Sequence, residues 1–188
     1  MISVDQWDQH LDWALWIRAA ERIEVPADEV VTGPPDVDPL PQPSLDSGDD
    51  LAEGWVLWWR TLVARTWQAG VDELTRFSPP DFDGLTDYPT LRQVIRTRWR
   101  EANAWHSARK RAGVRALRAT AGQEGAVVGA VEAEIGRKAA PFSLRIIVVP
   151  VLDQRIRSAG TSTFLVPERL YAGTDYDDWL RELVRTLA

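Results

Sequence analysis

The sequence predicts an α+β fold: a mostly helical, tryptophan-rich core, a small C-terminal antiparallel β unit and a closing amphipathic helix. Three observations carry that reading. Residues 54–67, GWVLWWRTLVARTW, hold four of the ten tryptophans at spacings that gather on one side of a helix. Residues 142–152, FSLRIIVVPVL, concentrate β-branched side chains in the manner of a strand. Residues from Thr174 onward place Trp179, Leu180, Leu183, Val184 and Leu187 on one helical face and Asp177, Asp178, Arg181 and Arg185 on the other. A chain of 188 residues fits one domain, residues 1–188, with a sizeable core.

The first helix is expected from about Ser3 to Arg22, with Ser3 and Gln6 as a capping box. Val4, Trp7, Leu11, Ala14 and Leu15 share its apolar face, and Asp5, Asp8 and Asp12 form an acidic ridge opposite. Trp16 sits beside that ridge and is the tryptophan of this helix expected to be most exposed. Residues 25–50 carry six prolines among many acids. Proline at that density forbids a regular helix, so this stretch reads as an extended acidic connector between the first and second helices.

The second helix is expected from about Leu51 to Ala69. Trp55, Trp58, Trp59, Leu62, Val63 and Trp67 cover nearly half its circumference, more than a surface helix needs, so the tryptophans read as core rather than as a binding platform. Residues 77–89, FSPPDFDGLTDYP, form a loop with aromatics Phe77, Phe82 and Tyr88, the composition of a functional loop or of one that anchors itself. Thr90 and Gln93 fit a second capping box, opening a helix that reaches Arg118. Residues 125–136 suit a helix in which Gly125 and Gly129 permit close packing, with a strand as the alternative. TSTFLV, residues 161–166, is the expected hairpin partner of the 142–152 strand across a Ser-Ala-Gly turn. That strand is apolar on both faces and needs pairing beyond a lone hairpin, from residues 126–131 or from a second copy of the chain. A homodimer is therefore expected.

Charge is unevenly distributed. Residues 1–87 hold 18 acids and 5 bases, residues 88–118 hold 9 bases and 1 acid, and the remainder nearly balances, for a net charge of −6. The helix from Thr90 aligns Arg92, Arg96, Arg100, Asn103, Ser107, Arg111 and Arg115 along one polar face. Such a row can bind an acidic protein surface or nucleic-acid phosphates, or pair within the chain. The acidic connector or first helix is the expected in-chain partner.

Chemistry finds little purchase. With no cysteine there is no disulfide, thiolate nucleophile or iron–sulfur site. The two histidines, His10 and His106, lack the spacing that places metal ligands on one helical face. Ser107 and Lys110 match Ser-X-X-Lys without its companion motifs. No phosphate-binding or dinucleotide loop occurs, and no cofactor or metal is expected. Without a leader-like start or a long apolar run, the chain is expected to be cytoplasmic, and its 20 arginines against 2 lysines suggest a bacterium. The expectation is a non-catalytic protein-binding protein of accessory, adaptor or immunity type. Its contacts are expected at Arg92, Arg96, Arg100, Arg111, Arg115, Trp16 and Phe82. The alternatives are a nucleic-acid-associated regulator using helix 90–118 and an enzyme with no recognisable motif.

Overall fold

The computed structural model describes residues 1–44, 48–64, 75–116 and 122–187, with backbone only at 115 and 116. In chain order the elements are β1 (Ile2–Gln6), α1 (Gln9–Ala20), α2 (Asp50–Ala64), a 3-10 turn (Asp83–Leu85), α3 (Pro89–Ala116) and α4 (Gln123–Ile135). There follow β2 (Leu144–Val149), β3 (Arg157–Ser158), β4 (Thr163–Pro167), α5 (Glu168–Tyr171) and α6 (Thr174–Leu187). The α+β class holds, with strands in the C-terminal part and a closing helix. No described helix is long and apolar enough to cross a membrane.

The sheet is mixed rather than antiparallel. Its order is β1-β2-β4-β3, with β1 and β4 parallel to β2 and only β3 antiparallel to β4. The Ser158-Ala159-Gly160 turn exists, yet it joins β3 to β4. Pro150, without a backbone donor, follows the last residue of β2, and residues 150–156 carry the chain away before β3 begins. β2 thus meets β4 in parallel, with Ile147 opposite Leu165.

The two apolar faces of β2 are both covered, as a central parallel strand requires. Leu144, Ile146 and Val148 pack with Val127 and Val131 of α4 and with Tyr176, Leu180 and Val184 of α6. Ile147 and Val149 join the larger cluster built from α1, α2 and α3. Residues 125–135 are helical, so the further strand comes from elsewhere. It is Ile2–Gln6, with Val4 opposite Ile146.

The first helix accordingly starts later than its apolar wheel suggests. Ile2 and Val4 alternate with Ser3 and Asp5, and pairing to β2 outweighs the weak helical preference of five residues. Trp7 turns the corner in the left-handed region at φ 59°. Its indole lies against Gly113 of α3, where any side chain would collide with the ring. Asp8 then caps α1, accepting from the backbone N–H groups of His10 and Leu11 at 3.0 and 3.1 Å. The acidic ridge does not form: Asp5 pairs with Arg145 at 2.7 Å, Asp8 is the cap and Asp12 is buried.

Trp55, Trp58 and Trp59 are fully buried, as expected for core, while Trp67 lies outside the described residues. Trp55 and Trp59 stack at 5.4 Å. The Trp55 indole N–H donates to the Ala14 carbonyl at 2.7 Å, and that of Trp59 to the Val30 carbonyl at 2.9 Å. The second of these pins the acidic connector. Buried Arg18 does the same, donating to the carbonyls of Ile23, Val25, Thr32 and Gly33. Residues 25–44 are therefore extended but fixed, with Val31 and Val37 in the core.

Candidate functional site

Helix α3 carries the arginine row, and the fold divides it in two. Its inner side begins apolar, with Leu91, Val94 and Ile95 buried, and then turns polar at Arg98, His106 and Arg109. The cap expected from Thr90 and Gln93 is supplied differently. Asp50, the first residue of α2, accepts from the Thr90 N–H at 2.9 Å, and Pro89 opens the helix where no N–H is needed.

Arg98 is the upper anchor of the inner side. Its guanidinium lies over the Trp16 ring at 4.9 Å and pairs with Glu21, whose side chain is 2% exposed. It also pairs with Glu101 at 3.0 Å and donates to the Gln42 carbonyl at 2.9 Å. Burial opposes the charge, but the hydrogen bonds that Arg98 donates to Glu101 and Glu21 outweigh it and hold the Arg98 pKa above its ordinary value.

A second anchor lies lower on the helix. Asp12 of α1 accepts from Arg109 at 3.0 and 2.9 Å, one bond to each carboxylate oxygen, and lies 2.7 Å from His106 Nδ1. Arg109 continues to Glu168, the first residue of α5, at 2.9 Å. Both Asp12 oxygens and the guanidinium are committed inside the protein. The cluster ties α1, α3 and α5 together rather than leaving a group for a ligand.

His10 lies close by. Its Nε2 sits 3.2 Å from Ser78 Oγ and its ring meets Trp13 edge-on at 5.2 Å. Burial, and then the neighbouring His106, push the His10 pKa below its ordinary value. A neutral imidazole on a serine hydroxyl is the distance of a base and nucleophile. The two residues after Ser78 are prolines, however, which offer no backbone N–H to hold an oxyanion. Among the described residues, no group of three or more potential ligands could hold a metal ion.

The outer side of α3 is different in kind. Arg96, Arg100 and Arg111 are exposed and make no ion pair among the described residues. Arg100 rests over the half-buried Trp99 ring at 5.5 Å, and Lys110 extends the row. On a helix rising 1.5 Å per residue, the row from Arg96 to Arg111 spans about 22 Å. Arg92 is tied into the preceding loop, donating to the Asp81 carbonyl at 2.7 Å and to Asp83 at 2.6 Å. Arg115 lies in the helix, and its side chain is outside the described residues.

The two aromatic positions expected at a surface are inside. Trp16 is 4% exposed because α1 is covered on all sides from Leu11 to Ala20. Phe82 is fully buried, its backbone in the left-handed region at φ 51°, so it anchors the 77–89 loop. Of the row expected to pair with the acidic connector or first helix, Arg92 pairs instead with the 77–89 loop, and Arg96 and Arg100 make no ion pair among the described residues. The pairing with α1 and its C-cap is made by Arg98 and Arg109, which the row left out. One signal pointed to them: positions 91, 95, 98, 102, 106, 109 and 113 continue a single row at three- and four-residue steps. Comparison with known protein families, with characterised proteins and with solved structures finds no match to this chain.

Proposed function

We propose that this is a non-catalytic binding protein whose contact surface is the outer side of α3, and that its partner presents an acidic protein surface. The observation that carries the reading is the sorting of arginines on one helix. Arg92, Arg98 and Arg109 are matched to carboxylates within the chain, whereas Arg96, Arg100 and Arg111 have no such match among the described residues. Arginine beside a half-buried tryptophan, as at Arg100 and Trp99, is also the composition enriched at the energetic centres of protein interfaces. An acidic protein suits the row better than a nucleic acid does. The chain bears a net charge of −6, and its remaining surface would repel a long polyanion.

The test is the triple variant R96E/R100E/R111E. A glutamate peptide of about six residues, no longer when extended than the row itself, and random duplex DNA, each fluorescently labelled, are titrated against the wild type and the variant while anisotropy is read. The wild type is expected to bind the peptide more tightly than the DNA, and the triple variant to lose peptide binding with an unchanged melting temperature. Tighter binding to DNA, with a steep salt slope, favours the regulator reading instead. No peptide binding by the wild type, or equal binding by the variant, overturns the proposal.

A further inference from the structure

β1 completes the pairing of β2 and in doing so becomes one edge of the sheet among the described residues. The Leu144 N–H donates to the Met1 carbonyl at 3.0 Å, and a parallel ladder repeats such bonds at every second residue. Ser3 and Asp5 therefore direct their backbone groups toward β2, while Ile2, Val4 and Gln6 direct theirs outward. Edge strands are usually guarded by proline, lysine or a bulge. ISVDQ has none of these, and its one charge, Asp5, is tied to Arg145.

Beside that edge, on the face covered by α4, runs a groove of about 530 Å³ whose lining includes Ile2, Gly125, Val128, Gly129 and Phe142. The glycines expected to permit close packing do not pack against anything among the described residues. A side chain built at either one meets nothing within 4 Å. Glu124, which starts the glycine face, accepts hydrogen bonds from the Tyr171 and Tyr176 hydroxyls at 3.0 and 3.3 Å, which fixes α4 to α5 and α6.

We infer that a second copy of this chain occupies the edge, its β1 antiparallel to this one about a two-fold axis through Val4. In that register Val4 faces the partner's Val4, and Ile2 faces the partner's Gln6. All three outward-directed residues then meet outward-directed residues, the condition for a hydrogen-bonded ladder. Asp5 falls opposite the partner's Ser3, whose side-chain hydroxyl can donate to its carboxylate, and not opposite the partner's Asp5, where like charges would repel. An axis normal to the sheet keeps both α4 helices on one face, side by side and antiparallel, with Gly125 and Gly129 turned to the seam. A foreign strand could use the edge alone. Only a second copy brings a matching glycine face into the groove. The contact is isologous and closes at two subunits.

Sedimentation equilibrium of the full chain is the test, with far-UV circular dichroism and melting as controls for folding. The wild type is expected to be a dimer at micromolar concentration. Val4→Pro removes the central outward N–H but leaves the groups of Ser3 and Asp5 on β2, a placement proline tolerates in edge strands. It is expected to be a folded monomer. Gly129→Glu enters open space within one subunit and puts a carboxylate at the seam, and is expected to weaken the dimer at least about tenfold. If Val4→Pro does not fold, Gly129→Glu decides alone. R96E/R100E/R111E should remain dimeric, so this surface and that of α3 fail separately. A wild-type monomer at high micromolar concentration overturns the inference, whether the edge stays bare or takes a foreign strand. So does a dimer of unchanged strength in the folded variants.

Discussion

Arg96 and Arg98 stand two residues apart on one helix and lead opposite lives. Arg98 is inside, stacked on Trp16 and held between Glu21 and Glu101. Arg96 is in water with no carboxylate beside it among the described residues. Two steps on a helix rotate a side chain by about 200°, so adjacent arginines of a run need not share a role. A count of nine bases between residues 88 and 118 thus merges an internal brace with an external surface. The division teaches that charge density alone does not define a binding face. What defines it is the charge left over after the fold has taken its share.

The sharpest way to break this comparison is at the inner side. Arg98→Met keeps a long side chain near Trp16 but leaves Glu21 buried without its cation, and should destabilise by about 3–5 kcal/mol in chemical denaturation. Adding Glu21→Leu should recover much of that loss, because the unmatched charge is then gone. If the single variant melts like the wild type, the inner brace does not stabilise the fold.

A smaller effect is expected from pH. The folded His10 pKa is lowered, whereas an unfolded histidine titrates near 6.5. Just below that pH the unfolded chain binds the extra proton and the folded one does not, so stability falls as pH drops and is fully present above it. Melting temperatures at neutral and mildly acidic pH should show the fall in the wild type and a shallower one in His10→Gln. Equal slopes would remove His10 from the acid response.

The smallest effect belongs to the outer side. Arg96→Ala, Arg100→Ala and Arg111→Ala should each shift stability by no more than about 0.5 kcal/mol, as exposed positions do. A loss comparable with that of Arg98→Met would mean that these arginines belong to the brace as well.

The parts of the fold that one local pattern determines were readable in the chain. Trp55, Trp58 and Trp59 lie on one wheel face and are core. β2 is apolar on both faces and is central. The parts set by distant partners were not. Ile2–Gln6 reads as a helical turn until β2 claims it, and Trp16 falls on a polar sector of a helix that proves to be enclosed throughout. Glycines at 125 and 129 promised a close contact, yet the described residues supply none. Of the residues expected at a surface, Arg96, Arg100 and Arg111 are there, Arg92 is half engaged with its own loop, and Trp16 and Phe82 are inside.

The pairing of β1 with β2 has a consequence for how the molecule is made. Ser3 and Leu144 are separated by 141 residues, so this strand pair has the loop-closure entropy and high contact order of a late event. At a synthesis rate of about 5–20 residues per second, β1 leaves the ribosome roughly 7–28 seconds before its partner does. The helices α1 to α3 can gather their tryptophans in that interval, while Ile2 and Val4 wait uncovered at the exit side. A nascent chain arrested before residue 140 should therefore already show blue-shifted tryptophan emission, and its N-terminal strand should remain open to protease until β2 emerges.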